Sequence, residues 1–119
     1  MSLNENKEYG KSKIFNVVEL LEYIPHSVVI KSILRKTTGS INAFSFDSGE
    51  VLIGKTSPFD TFIQIIDGEA EIIIDGSSNL LEAGESIIVP AHHRNAIKAN
   101  VKFKMLSTII KSGYEDIIL

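Results

Sequence analysis

Short runs of alternating apolar and polar residues, separated by turn residues, fill most of the chain after Pro25. They lie at 27–34, 41–46, 50–53, 61–66, 69–74, 79–82 and 86–89, and a final run begins at Val101. Alternation places successive side chains on opposite faces of a strand. Many short strands with turn signals about every 8–12 residues are typical of a β-sandwich or β-barrel. The pattern therefore predicts an all-β fold.

Two Asp-Gly pairs, Asp67-Gly68 and Asp75-Gly76, each separate two apolar runs. Such a pair is a strong hairpin signal, because both central residues of the favoured turn need positive φ. The two pairs together predict an antiparallel meander through this part of the chain.

The final run shows the clearest alternation. Its apolar members are predicted to share one face and its lysines the other, in the order Val101, Lys102, Phe103, Lys104, Met105. This is the pattern of a strand with one buried and one solvated face.

The segment from Ile14 to Ile24 carries the one helical signal. Its apolar residues would form a single helical face over two or three turns, and Pro25 would end it. We expect a short helix or a strand that leads into a turn. Residues 1–13 are polar and without period, so we interpret them as a loosely ordered lead-in to a single domain at 14–119.

Composition narrows the class of protein further. The 119 residues fit one domain, 44% of them are apolar, and the net charge is −3. The chain has no basic stripe, no apolar run near the ~20 residues that span a bilayer, and no signal-peptide pattern. Neither nucleic acid nor membrane is an expected partner. The absence of cysteine fits a reducing compartment, so we expect a cytoplasmic protein.

Two glycine-led segments carry a family resemblance. The first is GEVLIGKTSPFDT at 49–61, followed by DGE at 67–69, and the second is GESIIVPAHHRNAI at 84–97. Together they resemble the two sequence motifs of the cupin family, with the leading glycines, the glycine of the central hairpin and Pro90 at the family's spacing. The runs TSPFD at 56–60 and FKML at 103–106 look like those of small single-domain cupins.

The resemblance covers roughly residues 27–108 and implies a fold as well as a site. The family fold is a double-stranded β-helix, a jelly-roll barrel with a pocket at its mouth. In the family, two histidines and a glutamate of the first motif and a histidine of the second bind a metal ion. The corresponding positions here hold Lys55, Ser57, Thr61 and Asn95.

None of these four side chains is a normal strong ligand. Lysine is a cation at neutral pH, and hydroxyl and carboxamide oxygens are weak neutral donors where a transition metal prefers imidazole, carboxylate or thiolate. We therefore expect no metal cofactor. An inward-pointing Lys55 would pair with Asp60 or hold an anionic ligand, whereas a lysine at the rim would extend into water.

The resemblance places Thr61 and Asn95 on the cavity wall, where they line it or bond to each other. Strict alternation from Thr61 puts Gln64 on the opposite face, and a bulge would turn it toward the pocket. We keep Ser57, Asp60 and Gln64 as candidate ligand-binding residues with these two.

His92 and His93 follow Pro90 near the expected pocket mouth. Adjacent residues of an extended chain point to opposite faces, so one metal ion would not recruit both. Either could act alone as a general acid or base because its pKa lies near neutrality. The alternative is that both are exposed residues of the rim loop.

Two functional hypotheses follow. The first is a metal-free module that binds or senses a small polar or anionic molecule. The second is a cupin-type enzyme, an isomerase or a dioxygenase-like protein, with a non-standard site around His92 or His93 and Asp60. Spare apolar residues at 15–24 and 117–119 predict a homodimer under either hypothesis.

Overall fold

The computed structural model describes residues 2–5, 10–54 and 56–112, and for residues 2–5 only the backbone. Nine strands make up nearly all of the regular structure in these ranges. They are β1 Ser2–Glu5, β2 Val28–Lys36, β3 Gly39–Phe46, β4 Val51–Gly54, β5 Thr61–Ile74, β6 Ser77–Glu82, β7 Ser86–Val89, β8 Asn95–Lys98 and β9 Phe103–Ile110. The predicted all-β fold is confirmed. The strands β1 and β8 were not predicted.

The long strand β5 joins two sheets. Its first half pairs with β7 on one side and β9 on the other, and β9 continues through β3 and β2 to β1. We call this the larger sheet. The second half of β5 pairs with β6 and β8, and β8 pairs with β4. These strands form the smaller sheet. The two sheets fold over one apolar core.

Asp67-Gly68 is not a hairpin turn, and the prediction of one was wrong. The chain runs straight through it as part of β5, with a register shift against β9 between Ile65 and Asp67. Gly68 has φ +74°, and a Cβ there would collide with the carbonyl oxygen of Lys102. A glycine with positive φ and close backbone approach is as suited to a β-bulge as to a turn. The bulge lets β5 pass from one sheet to the other.

Asp75-Gly76 does form the predicted hairpin. Ile74 pairs with Ser77, so the loop between β5 and β6 has two residues. Asp75 has φ 49° and Gly76 has φ 80°, the pair of positive values that this turn requires.

The predicted helix at 14–24 is absent. Only a single 3₁₀ turn forms, at Val18–Leu20, and the rest of the segment is irregular. The segment crosses the outer face of the larger sheet, where its carbonyl groups accept bonds from the sheet. Ser45 Oγ donates to the carbonyl of Glu22 over 2.9 Å, and Lys104 Nζ donates to that of Val18 over 2.6 Å. These bonds take the place of a helix's internal ones.

The core lies between the inner faces of the two sheets. It contains Val28, Phe46, Ile63, Ile65, Val89, Phe103 and Met105 from the larger sheet, and Ala70, Ile72, Leu81 and Ile97 from the smaller one, with Ala99. Alternation put Phe103 and Met105 on the buried face, as predicted, whereas Val101 lies before the strand and is exposed. No helix in the described part of the chain is long and apolar enough to cross a membrane.

Candidate functional site

A cavity of about 180 Å³ opens between the inner faces of the two sheets. Its apolar wall consists of Phe44, Phe59, Ile63, Val89, Pro90, Ile97, Met105 and Ile109. Among the described residues, the polar side chains that line it are those of Ser57, Thr61, His93, Asn95 and Ser107, and Gly54 contributes backbone. Apolar walls with a few placed polar groups are typical of small-molecule sites.

Thr61 and Asn95 lie where two strands begin. Thr61 opens β5 and pairs with Val89 and Ile109, which also line the cavity. Asn95 opens β8 and pairs with Gly54 at the end of β4. Both side chains therefore share the inner face, as the family resemblance predicts.

The Asn95 side chain packs directly on Gly54. A Cβ at position 54 would collide with Oδ1 of Asn95, so only glycine leaves room for the carboxamide. This close approach, rather than a turn, explains the glycine at the end of β4.

Ser57 belongs to the loop between β4 and β5. Its Oγ accepts a hydrogen bond from the Phe59 backbone N–H over 3.1 Å. Its carbonyl accepts one from the His92 N–H over 2.6 Å. The second bond ties the loop to the segment after Pro90, so the two motif loops form one rim of the cavity.

Ser107 is a cavity residue that the sequence analysis missed. It lies in β9 between Asn42 and Ile63 in the sheet. The alternation of Phe103 and Met105, continued by one step, would have placed it inward. Within the described part of the chain, the side chains of Thr61, Asn95 and Ser107 make no hydrogen bond to protein groups, and no fully buried side-chain polar atom is left unpaired. The polar atoms of these three residues are therefore accessible from the cavity.

Three predicted residues do not line the cavity. The carboxylate of Asp60 accepts a hydrogen bond from the Ala91 N–H over 2.7 Å and braces the rim. Gln64 lies on the outer face, as strict alternation predicts. His92 is exposed, with φ 67°. Lys55 lies outside the described residues.

His93 lines the cavity, and its partner is Asp75 rather than Asp60. Nδ1 of His93 contacts Oδ2 of Asp75, and Oδ1 of Asp75 accepts a bond from the Arg94 N–H over 3.1 Å. The hydrogen bond from His93, more than the one from Arg94, lowers the pKa of Asp75. An ionised carboxylate only accepts, so Nδ1 carries the proton of this bond and Nε2 is left for a ligand.

Asp75 was missed because its Asp-Gly pair was used only as a turn signal. The hairpin turn places its carboxylate beside the start of β8, a contact between residues 18 apart in sequence. No local pattern indicates that contact.

The residues around the cavity do not resemble a transition-metal site. The described residues of the lining offer one imidazole with neutral hydroxyl and carboxamide oxygens, whereas such ions prefer imidazole, carboxylate or thiolate in combination. In the described ranges, no three His, Cys, Asp or Glu side chains come together in a way that could hold a metal ion.

Comparison with known proteins shows which family the chain resembles. The sequence matches no family model and no curated protein. Among solved structures, a protein of unknown function from Streptococcus pyogenes is 27% identical, with a TM-score of 0.80 over 95% of this chain and 97% of that one. A cupin superfamily protein from Desulfitobacterium hafniense is 27% identical, with a TM-score of 0.82 over 89% and 97%.

A cupin 2 conserved barrel domain protein from Leptotrichia buccalis is 32% identical, with a TM-score of 0.79 over 82% of this chain and 47% of that one. The chain is therefore similar to proteins of the cupin superfamily, and its two sheets form the jelly-roll barrel of the cupin fold. Both were predicted from the two glycine-led motifs.

Proposed function

We propose that this protein binds a small organic molecule in the barrel cavity and does so without a metal ion. The observation that carries the proposal is the cavity of about 180 Å³ with apolar walls and five hydrogen-bonding side chains. An apolar cavity of about 150 Å³ is large enough for benzene. A ligand with one ring or a short branched chain matches this volume.

The polar side chains would orient that ligand. Hydroxyl groups of Thr61 and Ser107 and the carboxamide of Asn95 present both donors and acceptors to the cavity. A ligand that bonds to them would replace the water that satisfies them otherwise, and one that cannot do so would bind more weakly. The ligand therefore needs at least one polar group next to its apolar part.

Binding of 2-phenylethanol, which has one ring and one hydroxyl, tests the proposal. Thr61→Val keeps the shape of the side chain and removes its hydroxyl, so we expect an affinity loss of roughly fivefold to tenfold by calorimetric titration. Thr108→Val is the matched control, because Thr108 does not line the barrel cavity and pairs with the outward Phe62. Equal affinity in the two variants would place the ligand elsewhere.

Elemental analysis of protein purified without chelator tests the metal-free part of the proposal. The neutral donor set supports an amount of bound transition metal far below one ion per chain. Iron, nickel, manganese or zinc near one equivalent would overturn it.

The alternative is an enzyme that moves a proton on the cavity ligand, and the contact between His93 and Asp75 is the observation that favours it. A carboxylate that fixes the tautomer and orientation of an imidazole is a common arrangement for a general base. The neighbouring His92 offers a matched control because both imidazoles are exposed at the rim but only that of His93 lines the cavity.

The enzyme hypothesis predicts deuterium exchange from heavy water into a small carbonyl compound with an acidic C–H bond. The isomerisation would begin with that proton transfer. His93→Gln should abolish the exchange and His92→Gln should keep it. Exchange that survives His93→Gln, or exchange that both variants lose, would contradict the role of His93.

We also propose that the chain forms a homodimer through the outer face of the larger sheet. One cross-strand row on this face runs through Ile88, Phe62, Thr108, Ile41 and Leu34. Phe62 is 40% exposed and Ile88 is 60% exposed. A row of this kind, apolar except for Thr108, supports packing against a second copy.

A further inference from the structure

A second cavity, of about 220 Å³, lies beside the barrel cavity under β2 and β3. Its lining is Ile30, Ser32, Arg35, Lys36, Ser40, Asn42 and Lys111. Among the described residues that line it, three are cationic and none is acidic, which contrasts with the net charge of −3 for the whole chain. We call it the basic cavity. Arg35 and Lys36 each also make an interaction within the protein, and a guanidinium group with five N–H donors can contact an anion as well.

A bulge in β2 brings Arg35 into this lining. Ser32 pairs with Asn42, the register then shifts, and Arg35 pairs with Ser40. Without the extra residue, Arg35 would point to the face opposite Ser32, because side chains alternate along a strand. The bulge reverses that alternation, so the guanidinium group shares a face with Ser32 and Ser40. Bulges that redirect a side chain are frequent next to functional sites.

The floor of the basic cavity is a chain of hydrogen bonds. Ser32, which is only 5% exposed, donates from Oγ to Oδ1 of Asn42 over 3.0 Å. Nδ2 of Asn42 donates to Oγ of Ser40 over 3.5 Å. Because Ser40 accepts in this chain, its own hydroxyl proton remains to be donated to a ligand.

Residues of the two cavities are neighbours on the inner face of the larger sheet, across the β3–β9 pair and across the β2–β3 pair. Asn42 and Ser40 of the basic cavity pair with Ser107 and Ile109 of the barrel cavity, in β9. Ile30 of the basic cavity likewise pairs with Phe44 of the barrel cavity. Directly paired residues have Cα atoms roughly 4.5–5.5 Å apart, and their side chains point to the same side.

We propose that the two cavities hold the two ends of one ligand, which rests on the proposed function of the barrel cavity. The apolar end would lie between Phe44 and Ile109. An anionic end, a phosphate or a carboxylate, would lie between Arg35 and Lys111 and accept a bond from Ser40. A guanidinium group next to hydroxyl and ammonium donors is chemistry that recognises such anions. The ligand class is thus a small apolar acid or phosphate monoester.

Calorimetric titration at low salt with three probes tests this inference. The probes are 2-phenylethyl phosphate, the neutral 2-phenylethanol and inorganic phosphate. We expect the first to bind at least about tenfold more tightly than either of the others, because it alone reaches both cavities. Arg35→Gln and Lys111→Gln should each remove most of the affinity advantage of 2-phenylethyl phosphate over 2-phenylethanol. They should leave the affinity for 2-phenylethanol unchanged. Lys98→Gln, which removes one cation from the smaller sheet, should leave the advantage intact.

The outcomes separate this inference from the proposed function. If 2-phenylethyl phosphate binds no better than 2-phenylethanol, or if Arg35→Gln and Lys111→Gln change nothing, the inference is wrong. Binding of 2-phenylethanol that Thr61→Val still weakens would then leave the barrel cavity as the ligand site. If none of the three probes binds, both proposals are wrong for ligands of this class.

Discussion

The two faces of the larger sheet are stabilised in different ways. The inner face is a dense apolar layer in which Phe46 and Phe103 are fully buried and stack with ring centroids 4.5 Å apart and an interplanar angle of 13°. The outer face is divided. The segment at 14–27 covers one part of the outer face. On the other part lies the row from Ile88 to Leu34, which includes the exposed side chains of Ile88, Phe62 and Leu34.

The covered part of the outer face is held by polar contacts. Lys104 is only 8% exposed, yet its ammonium group bonds to the Val18 carbonyl and lies 4.9 Å from the ring centroid of Tyr23. The hydroxyl of Tyr23 donates to Asp67 at the β5 bulge over 2.5 Å. Burial therefore comes from close packing on the inner face and, on the covered part of the outer face, from a segment that satisfies buried polar groups. Four substitutions test this difference.

Phe46→Ala should have the largest effect. Truncating a fully buried aromatic side chain in a packed core costs about 3–5 kcal/mol. Urea denaturation followed by circular dichroism measures the loss. Phe62→Ala on the outer face is the matched control, and we expect it to cost about 1 kcal/mol or less in the monomer. Similar losses for the two variants would contradict the distinction between the faces.

Phe62→Asp should disrupt the proposed homodimer. A charge in the middle of the apolar row should weaken self-association at least about 30-fold, or ~2 kcal/mol. Light scattering after size exclusion should then give the mass of one chain instead of two. Glu69→Lys, an exposed change in the smaller sheet, should keep the wild-type mass. A wild-type protein that is already monomeric would overturn the proposal.

Lys104→Met should have a moderate effect on stability. The methionine keeps the apolar stem but leaves the Val18 carbonyl without its donor, so we expect a loss of about 1–2 kcal/mol. Lys102→Met is the control, because Lys102 is exposed and its ammonium group lies equally close to the Tyr23 ring, 4.8 Å from the centroid, but does not bond to Val18. If both variants lose the same stability, the bond to Val18 does not hold the segment.

Tyr23→Phe should have the smallest effect on the free energy of unfolding. The variant should differ clearly from the wild type only at alkaline pH. Burial, and then the hydrogen bond to Asp67 and its charge, raise the pKa of Tyr23 above the ordinary value of 10.0. The folded state thus retains the phenolic proton better than the unfolded state. That contribution to stability is complete below about pH 10 and declines as the pH rises beyond it.

The readout for Tyr23→Phe is the free energy of unfolding in urea, measured from about pH 8 to about pH 12. The variant should lose less stability than the wild type above about pH 10, because it has no phenol to ionise. Parallel curves for the two proteins would show that Tyr23 is not linked to folding through its proton.

Local patterns predicted the strands well where one face of a strand is buried. Alternation located β2, β3, β7 and β9 within a few residues, and it put Phe103 and Lys104 on opposite faces. It could not predict that Lys104 would be buried, because the segment that covers it lies 86 residues away in sequence. The same reason explains why the helix expected at 14–24 does not form, since carbonyl groups of this segment accept bonds from the sheet.

The candidate site was predicted only in part. Ser57, Thr61 and Asn95 line the cavity as the family resemblance implied, and Ser107 was within reach of simple alternation. Asp75 and the basic cavity could not be predicted from alternation, because each depends on a contact or a register shift between strands. A bulge changes which residues share a face, and no single strand's sequence shows where it falls.

The sequence alone determined the all-β class and the resemblance to the cupin motifs, and through that resemblance it predicted weak ligands at the four positions where the family binds a metal ion. Those properties follow from residue identity, spacing and period. Only the tertiary structure decided that one Asp-Gly pair is a bulge and the other a turn, that His93 rather than His92 faces the cavity, and that Arg35 shares a face with Ser40. The reason is that dipeptides and single strands have several compatible conformations, and the pairing of distant strands selects among them.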